Sequence, residues 1–187
     1  MVLVLDAIKT DEELAAEAAR EDSDGPAFTE LVGRHQERVW RVCYRLLGND
    51  ADAQEAAQEV FVGMFQNRGA FAGKSKFTTW LHSIAVRTCL TLRRARNRRH
   101  KYETGLAEQR LYESQRPAAD AAGQALDLAR MLETLDEEDR ALLVLKYSEG
   151  YSYEELADIF HLSESACKMR ISRARDELQA RFPGHEL

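Results

Sequence analysis

The chain has 187 residues, of which 44% are hydrophobic and 31% are charged, and its formal net charge is −6. This composition is typical of a soluble globular protein, and the length accommodates one or two domains. No apolar run approaches the length of a membrane span or of a signal-peptide core, so we expect a cytoplasmic protein without membrane insertion.

The cysteine and histidine pattern argues against a metal centre. Cys43, Cys89 and Cys167 are far apart, and each lies on an apolar stretch with helical periodicity, which predicts buried thiols in a reducing compartment. The sequence has no CxxC motif, and its five histidines show no ligand spacing. We therefore expect no metal, no cofactor and no catalytic residue.

The N-terminal stretch is strongly acidic. The first 30 residues contain nine acidic residues against two basic ones, a net charge of −7. Within this stretch, Thr10 and Glu13 form a capping-box pattern that predicts a short helix ending near Arg20. We assign residues 1–25 as an acidic N-terminal extension that precedes a first domain, residues 26–97.

The next predicted helix has clear ends. Pro26 suits the first turn of a helix, and Gly48 is the residue type that most often ends one. Between them, apolar residues recur with a period of 3.6, so this helix should bury one face.

A second predicted helix, about residues 51–67, carries an acidic stripe. Asp52, Glu55 and Glu59 are spaced three and four residues apart, which places them on one face of the helix. Such a stripe is either a solvated face or a docking surface for a basic partner, and the sequence pattern alone favours the solvated face.

Positive charge is concentrated in the stretch that begins at Phe71. No acidic residue occurs between Glu59 and Glu103, and the same window holds ten basic residues. A Gly/Lys/Ser loop between Phe71 and Phe77 leads into a helix that we predict to end near Arg96. Basic charge with interleaved aromatics is typical of a surface that binds a polyanion such as nucleic acid. The alternatives are core packing of the helically spaced apolar residues and a plain solvated basic face.

The remainder of the chain predicts a second helical domain. Residues 98–122 are polar and weakly periodic, and we assign them as a flexible linker to residues 123–187. Capping patterns at Asp136, Ser152 and Ser163 predict three helices there. The last two are joined by a tight turn, which is the layout of a helix-turn-helix.

The last predicted helix is amphipathic, with an apolar face toward the preceding helix and a basic outer face. The apolar residues are Cys167, Ile171, Ala174 and Leu178, and the basic residues are Lys168, Arg170, Arg173 and Arg175. A basic outer face on the second helix of a helix-turn-helix is what insertion into the major groove of DNA requires.

Taken together, three runs resemble the extracytoplasmic-function (ECF) subfamily of bacterial RNA polymerase sigma factors. DAQEAAQEVF at residues 52–61 is similar to the core-polymerase-binding helix of that family, and FAGKSKFTTWLHSIA at residues 71–85 is similar to its promoter-melting segment. EGYSYEELA at residues 149–157, followed by the basic residues of the last helix, is similar to its helix-turn-helix. The three runs occur in the family's order.

The resemblance implies an all-α protein of two small helical domains joined by a flexible linker, with no chemistry of its own. It implies core RNA polymerase, promoter DNA and an anti-sigma factor as partners. It assigns core-polymerase binding to Asp52, Glu55, Gln58 and Glu59. It assigns single-strand promoter DNA to Phe71, Lys74, Ser75, Lys76, Phe77, Trp80, Arg87 and Arg94, although the family commonly has Asn at the position of Arg87. It assigns the upstream promoter element to Ser165, Lys168, Met169, Arg170, Arg173 and Arg175, although the family commonly has other residues at the positions of Ser165 and Met169.

Two rival functions remain open on the sequence. A stand-alone helix-turn-helix regulator would use only the last domain and would leave the aromatic and basic stretch without a role. An enzyme acting on nucleic acid would need metal-binding carboxylates or a nucleophile with its base, and no such arrangement is visible.

Overall fold

The computed structural model describes residues 9–21, 25–104 and 131–183. These residues are helical where they are regular, and no β-strand occurs among them, as the all-α prediction requires. No helix in the described ranges combines the length and the hydrophobicity that crossing a membrane needs.

Four helices and one short 3₁₀ turn form the first domain. They are α1 (Asp11–Ala18), α2 (Pro26–Leu47), α3 (Asp50–Gln66), the 3₁₀ turn Arg68–Ala70 and α4 (Phe77–Thr104). The described part of the second domain begins with helical residues 131–133. Three further helices follow: α5 (Glu137–Ser148), α6 (Tyr153–Phe160) and α7 (Glu164–Arg181).

The helix ends follow from local side-chain chemistry. Thr10 and Ser152 form complete capping boxes at the starts of α1 and α6, each with a Glu three residues later. Gly48 ends α2 in the left-handed conformation, with φ +82°, where a side chain would be strained. Asn49 caps α3 and Ser163 caps α7 through their side-chain oxygens.

The buried faces are the apolar stripes of the sequence. Cys43, Cys89 and Cys167 are buried free thiols, which confirms that prediction. The thiols of Cys89 and Cys43 are hydrogen-bonded to each other, and this hydrogen bond together with burial raises the pKa of the Cys89 thiol. Both thiols therefore behave as small apolar residues of the core.

The described part of the acidic N-terminal segment, residues 9–21, packs against the helices of the first domain, although residues 1–25 were assigned as an extension that precedes it. Leu14, Ala15 and Ala18 of α1 are buried in the core, and α1 packs against α2 and α4. Glu12 and Glu13 of α1 are exposed, whereas Asp11 and Glu17 are half-buried. The short helix predicted from the capping box is therefore present and buries one face, and residues 1–8 and 22–24 lie outside the described residues.

The basic helix α4 is longer than the sequence pattern indicated. It continues past the predicted end near Arg96 to Thr104, so residues 98–104 of the predicted linker are helical. An arginine-rich segment retains good helix propensity after its apolar stripe has ended, because arginine loses little side-chain freedom in a helix. Residues 105–122 of the predicted linker lie outside the described residues.

The two domains are in contact through a turn of the second domain. Tyr151 follows α5, is 4% exposed, and its hydroxyl lies 2.6 Å from Nδ1 of His82 in α4. Burial lowers the pKa of His82 to about 3, with the nearby Arg38 guanidinium adding to the effect, so the imidazole is neutral. Next to Tyr151, the Glu149 carboxylate accepts hydrogen bonds from Arg38 and Arg45 of α2.

Candidate functional site

The acidic stripe of α3 lies at the surface. Glu55, Gln58 and Glu59 are exposed, as the docking assignment requires. Asp52 differs, because Nη1 of Arg96 lies 2.6 Å from its Oδ2 and the Asn49 amide donates to the same oxygen. The free part of the stripe is therefore Glu55 and Glu59, for which no ion pair is found among the described residues.

An apolar groove adjoins this stripe and was missed by the sequence analysis. It lies between α2 and α3 and has a volume of about 1190 Å³. Its lining includes Gln58 and the apolar residues Val32, Trp40, Phe61, Val62 and Phe65. Val62 is 55% exposed, and an apolar residue off the buried stripe of α3 was the sequence signal that could have revealed it.

The aromatic residues before and within α4 form one cluster. The Phe71 ring lies 5.6 Å from that of Phe77 and 5.5 Å from that of Trp80, measured between centroids. Phe71 and Trp80 are half-buried, whereas Phe77 is only 1% exposed. Phe77 was predicted to contact single-stranded DNA, but its ring is in the core because it lies on the buried stripe of α4. In this arrangement it can only support the other two rings.

The loop before α4 presents its two lysines differently. Lys74 is exposed and has no partner among the described residues, and it follows Gly73, whose φ of +67° favours glycine. Ser75 is half-buried. Nζ of Lys76 donates to Oε1 of Glu155 in α6 at 2.8 Å, and this hydrogen bond raises the pKa of the lysine. The second domain thus holds one of the two lysines that were predicted to contact single-strand promoter DNA.

The two predicted arginines of α4 also differ. Arg87 is exposed, with no partner among the described residues. Arg94 is exposed but forms ion pairs with the second domain, its Nη2 lying 3.1 Å from Oε1 of Glu138 and its Nε 3.7 Å from Oε2 of Glu137.

The helix-turn-helix consists of α6, a tight turn and α7. The turn begins at His161, whose φ of +55° is left-handed. The apolar face of α7 predicted from the sequence is buried, which leaves its other face to solvent. The predicted contacts that are exposed there are Ser165, Lys168, Met169, Arg173 and Arg175. Met169 is 53% exposed, which is unusual for a large apolar side chain.

Arg170 is the exception on α7. Its Nε donates to Oδ1 of Asp139 at 2.6 Å and its Nη1 to Oε2 of Glu138 at 2.9 Å. Asp136 completes the acidic surroundings at 3.7 Å. Arg170 therefore joins α7 to the first turn of α5, and its half-buried guanidinium is already bound by carboxylates.

Comparisons with known proteins match both domains. The family described as Sigma-70 region 2 matches residues 31–99, and the family described as Sigma-70, region 4 matches residues 125–178. The chain is 32% identical over 168 residues to the ECF RNA polymerase sigma factor SigW of Bacillus subtilis, covering 83% of this chain and 89% of that protein. It is 31% identical over 180 residues to the ECF RNA polymerase sigma factor SigM of Mycobacterium tuberculosis, covering 95% and 86%. Among solved structures it is similar to CnrH in complex with the cytosolic domain of CnrY, with a TM-score of 0.66, 26% identity and coverage of 92% and 97%.

Proposed function

Because the chain belongs to the ECF family of RNA polymerase sigma factors and directs RNA polymerase to promoters, we propose a division of labour between its two domains. The first domain docks on core polymerase and opens the downstream promoter element, and the second recognises the upstream element. The chain supplies no chemistry of its own and acts in the cytoplasm with the polymerase. A stand-alone helix-turn-helix regulator is not favoured, because the family match extends over both domains.

Core polymerase docks on the exposed face of α3. Glu55 and Glu59 offer two carboxylates without an ion pair among the described residues. The apolar groove beside them supplies apolar surface that the partner can bury in addition to forming charge pairs. A basic helical surface of the polymerase fits both features. In this assignment, Asp52 contributes chiefly by holding Arg96.

The loop before α4 captures the unpaired promoter strand. Lys74 and Arg87 are exposed cations, and Phe71 and Trp80 offer half-buried rings on which a base can stack. Lys76 and Arg94 join them once their carboxylate partners in the second domain are displaced. Phe77 packs against both rings from the core side of the cluster.

The outer face of α7 enters the major groove of the upstream element. The observation that carries the proposal is that this exposed face carries three of the four basic residues predicted to contact DNA, in a chain whose α3 exposes an acidic face. Lys168, Arg173 and Arg175 lie on it, together with Met169, whose exposed methyl end suits contact with a thymine methyl group.

An anti-sigma protein holds the factor inactive in the same cell. The similar structure of CnrH is a complex with the cytosolic domain of CnrY, and the apolar groove of this chain offers such a partner a site. Purification of the chain from its native host tests this idea. The inhibitor should copurify, and a fully active, partner-free protein would refute it.

Transcription with purified components tests the central proposal. Bacterial core polymerase transcribes genomic DNA of the native host with and without the chain, and RNA 5′ ends are sequenced. Discrete start sites that share an upstream element should appear only when the chain is added. Start sites that are the same in both reactions would refute the function.

A further inference from the structure

The N-terminal segment, residues 9–21, is hydrogen-bonded to both ends of residues 68–77, which comprise the 3₁₀ turn and the loop that precedes α4. At the start of the loop, Nη2 of Arg68 donates to the backbone oxygen of Glu21 at 3.1 Å. At its end, the backbone amide of Phe77 donates to Oε1 of Glu12 at 3.1 Å. That amide is one of the first donors of α4, which the helix itself cannot satisfy.

The segment is itself fixed to the first domain, so it can act as a rigid support. Asp11 accepts from Arg34 at 3.0 Å, and its other oxygen lies 2.8 Å from Nε2 of His35 in α2. His35 is 7% exposed, and its ring lies 5.4 Å from the ring of Phe77. Asp11 and Glu12 therefore hold α2 and α4 from adjacent positions of one helix.

The Arg68 end of the loop is fixed as well. Nη1 of Arg68 donates to the backbone oxygen of Phe65 at 2.7 Å, and the Arg68 guanidinium lies 4.1 Å from the centre of the Phe65 ring. The Glu21 carboxylate accepts from the amides of Ala27 and Phe28, which ties the same segment to the start of α2. Between these two anchors the loop exposes Gly73 and Lys74.

We propose that Glu12 is a positioning residue for promoter opening: by binding the Phe77 amide, it fixes the end of the loop and the aromatic cluster beneath it in the geometry that receives the unpaired strand. The acidic N-terminal helix thus supports the DNA-binding loop without itself contacting the DNA. This inference rests on the proposed role of the loop in strand capture.

The test compares Glu12→Ala, Glu12→Gln and Glu17→Ala in the full chain bound to core polymerase. Glu17 lies on the same helix and bonds to Lys9, so its removal takes away the same charge without touching the loop. Opening is followed by permanganate reactivity of unpaired thymines on a duplex promoter and on a pre-melted one. Binding to core polymerase and the melting temperature are measured in parallel.

We expect Glu12→Ala to slow opening of the duplex promoter by between about two- and thirtyfold, the range that corresponds to loss of a helix cap. The pre-melted promoter should restore normal reactivity. Glu12→Gln should open nearly normally, because its amide oxygen still accepts from Phe77, and Glu17→Ala should behave as wild type. Core binding should be equal in all four proteins.

Wild-type opening by Glu12→Ala would overturn the inference, as would equal slowing by Glu17→Ala. Faster opening by Glu12→Ala would also overturn it, since Glu12 would then repel the DNA instead of positioning the loop. Lys74→Ala with Lys76→Ala distinguishes a failure of strand capture from a failure of the positioning role. If that variant opens DNA normally, strand capture by the loop fails. If it is defective while Glu12→Ala is normal, only the positioning role fails.

Discussion

Substitution of Arg170 by alanine is expected to destabilise the second domain, whereas substitution of Arg173 is expected to weaken DNA binding alone. Both arginines were assigned to the upstream element from the sequence. In the structure Arg170 donates to Asp139 and Glu138 of α5, while Arg173 is exposed. The two substitutions remove the same side chain from positions three residues apart on one helix.

The magnitude follows from the two hydrogen bonds. A hydrogen bond to a charged group contributes about 1.5–3 kcal/mol, but the Arg170 side chain is 27% exposed and solvent screens part of each interaction. Glu138 and Asp139 also lie in the first turn of α5, where the helix dipole continues to stabilise them after Arg170 is removed. We expect Arg170→Ala to lower the free energy of unfolding by about 1–3 kcal/mol.

Thermal unfolding followed by circular dichroism measures this loss. For a chain of this size, 1 kcal/mol corresponds to a shift of about 2–4 °C, so Arg170→Ala should lower the melting temperature by several degrees. Arg173→Ala should leave it unchanged and lower the affinity for an upstream-element duplex, measured by fluorescence anisotropy. Equal melting temperatures for the two variants would refute the structural role of Arg170.

Three further predictions concern the first domain. Glu55→Arg with Glu59→Arg should abolish capture by core polymerase at unchanged circular dichroism, since two reversed charges add repulsion; retained capture would exclude this face of α3. Lys74→Ala should slow opening of a duplex promoter with no change in melting temperature, because Lys74 is exposed and has no described partner; an unchanged opening rate would remove it from the strand-binding set. Because its folded-state pKa of about 3 lies below the unfolded value of about 6.5, His82 should cost about 1.4 kcal/mol per pH unit as pH falls between them. In denaturant titrations, the stability difference between wild type and His82→Gln should be constant above that window and should change with pH within it, and a difference that stays constant at all pH values would contradict the buried neutral imidazole.

Features encoded within a few residues were predictable from the sequence. The capping boxes at Thr10 and Ser152 and the glycine end of α2 each depend on residues at most four positions apart. The buried stripes of α2 and α7 followed from periodicity, because burial of one helix face imposes that period.

Contacts between distant residues were not predictable in the same way. Arg170 and Asp139 are 31 positions apart, Phe77 and Glu12 are 65 apart, and Lys76 and Glu155 are 79 apart. No local pattern specifies such pairs, because they depend on how whole helices pack. The sequence therefore predicted a set of cations for a DNA-binding face, but it could not indicate which of them already have a carboxylate partner.

The ion pairs between the domains also bear on how DNA binding depends on salt. Each protein cation that neutralises a phosphate normally releases about one counterion from DNA, and the slope of log K against log[salt] counts these cations. Lys76 and Arg94 are held by Glu155 and Glu138. In the DNA-binding mode proposed above, DNA must displace a carboxylate at each position, and the freed carboxylate attracts small cations in turn. Part of the released salt is thereby taken up again. The slope measured on a protein that retains these ion pairs should count fewer cations than the proposed DNA-binding surface contains, and it should steepen when Glu155 and Glu138 are replaced by glutamine.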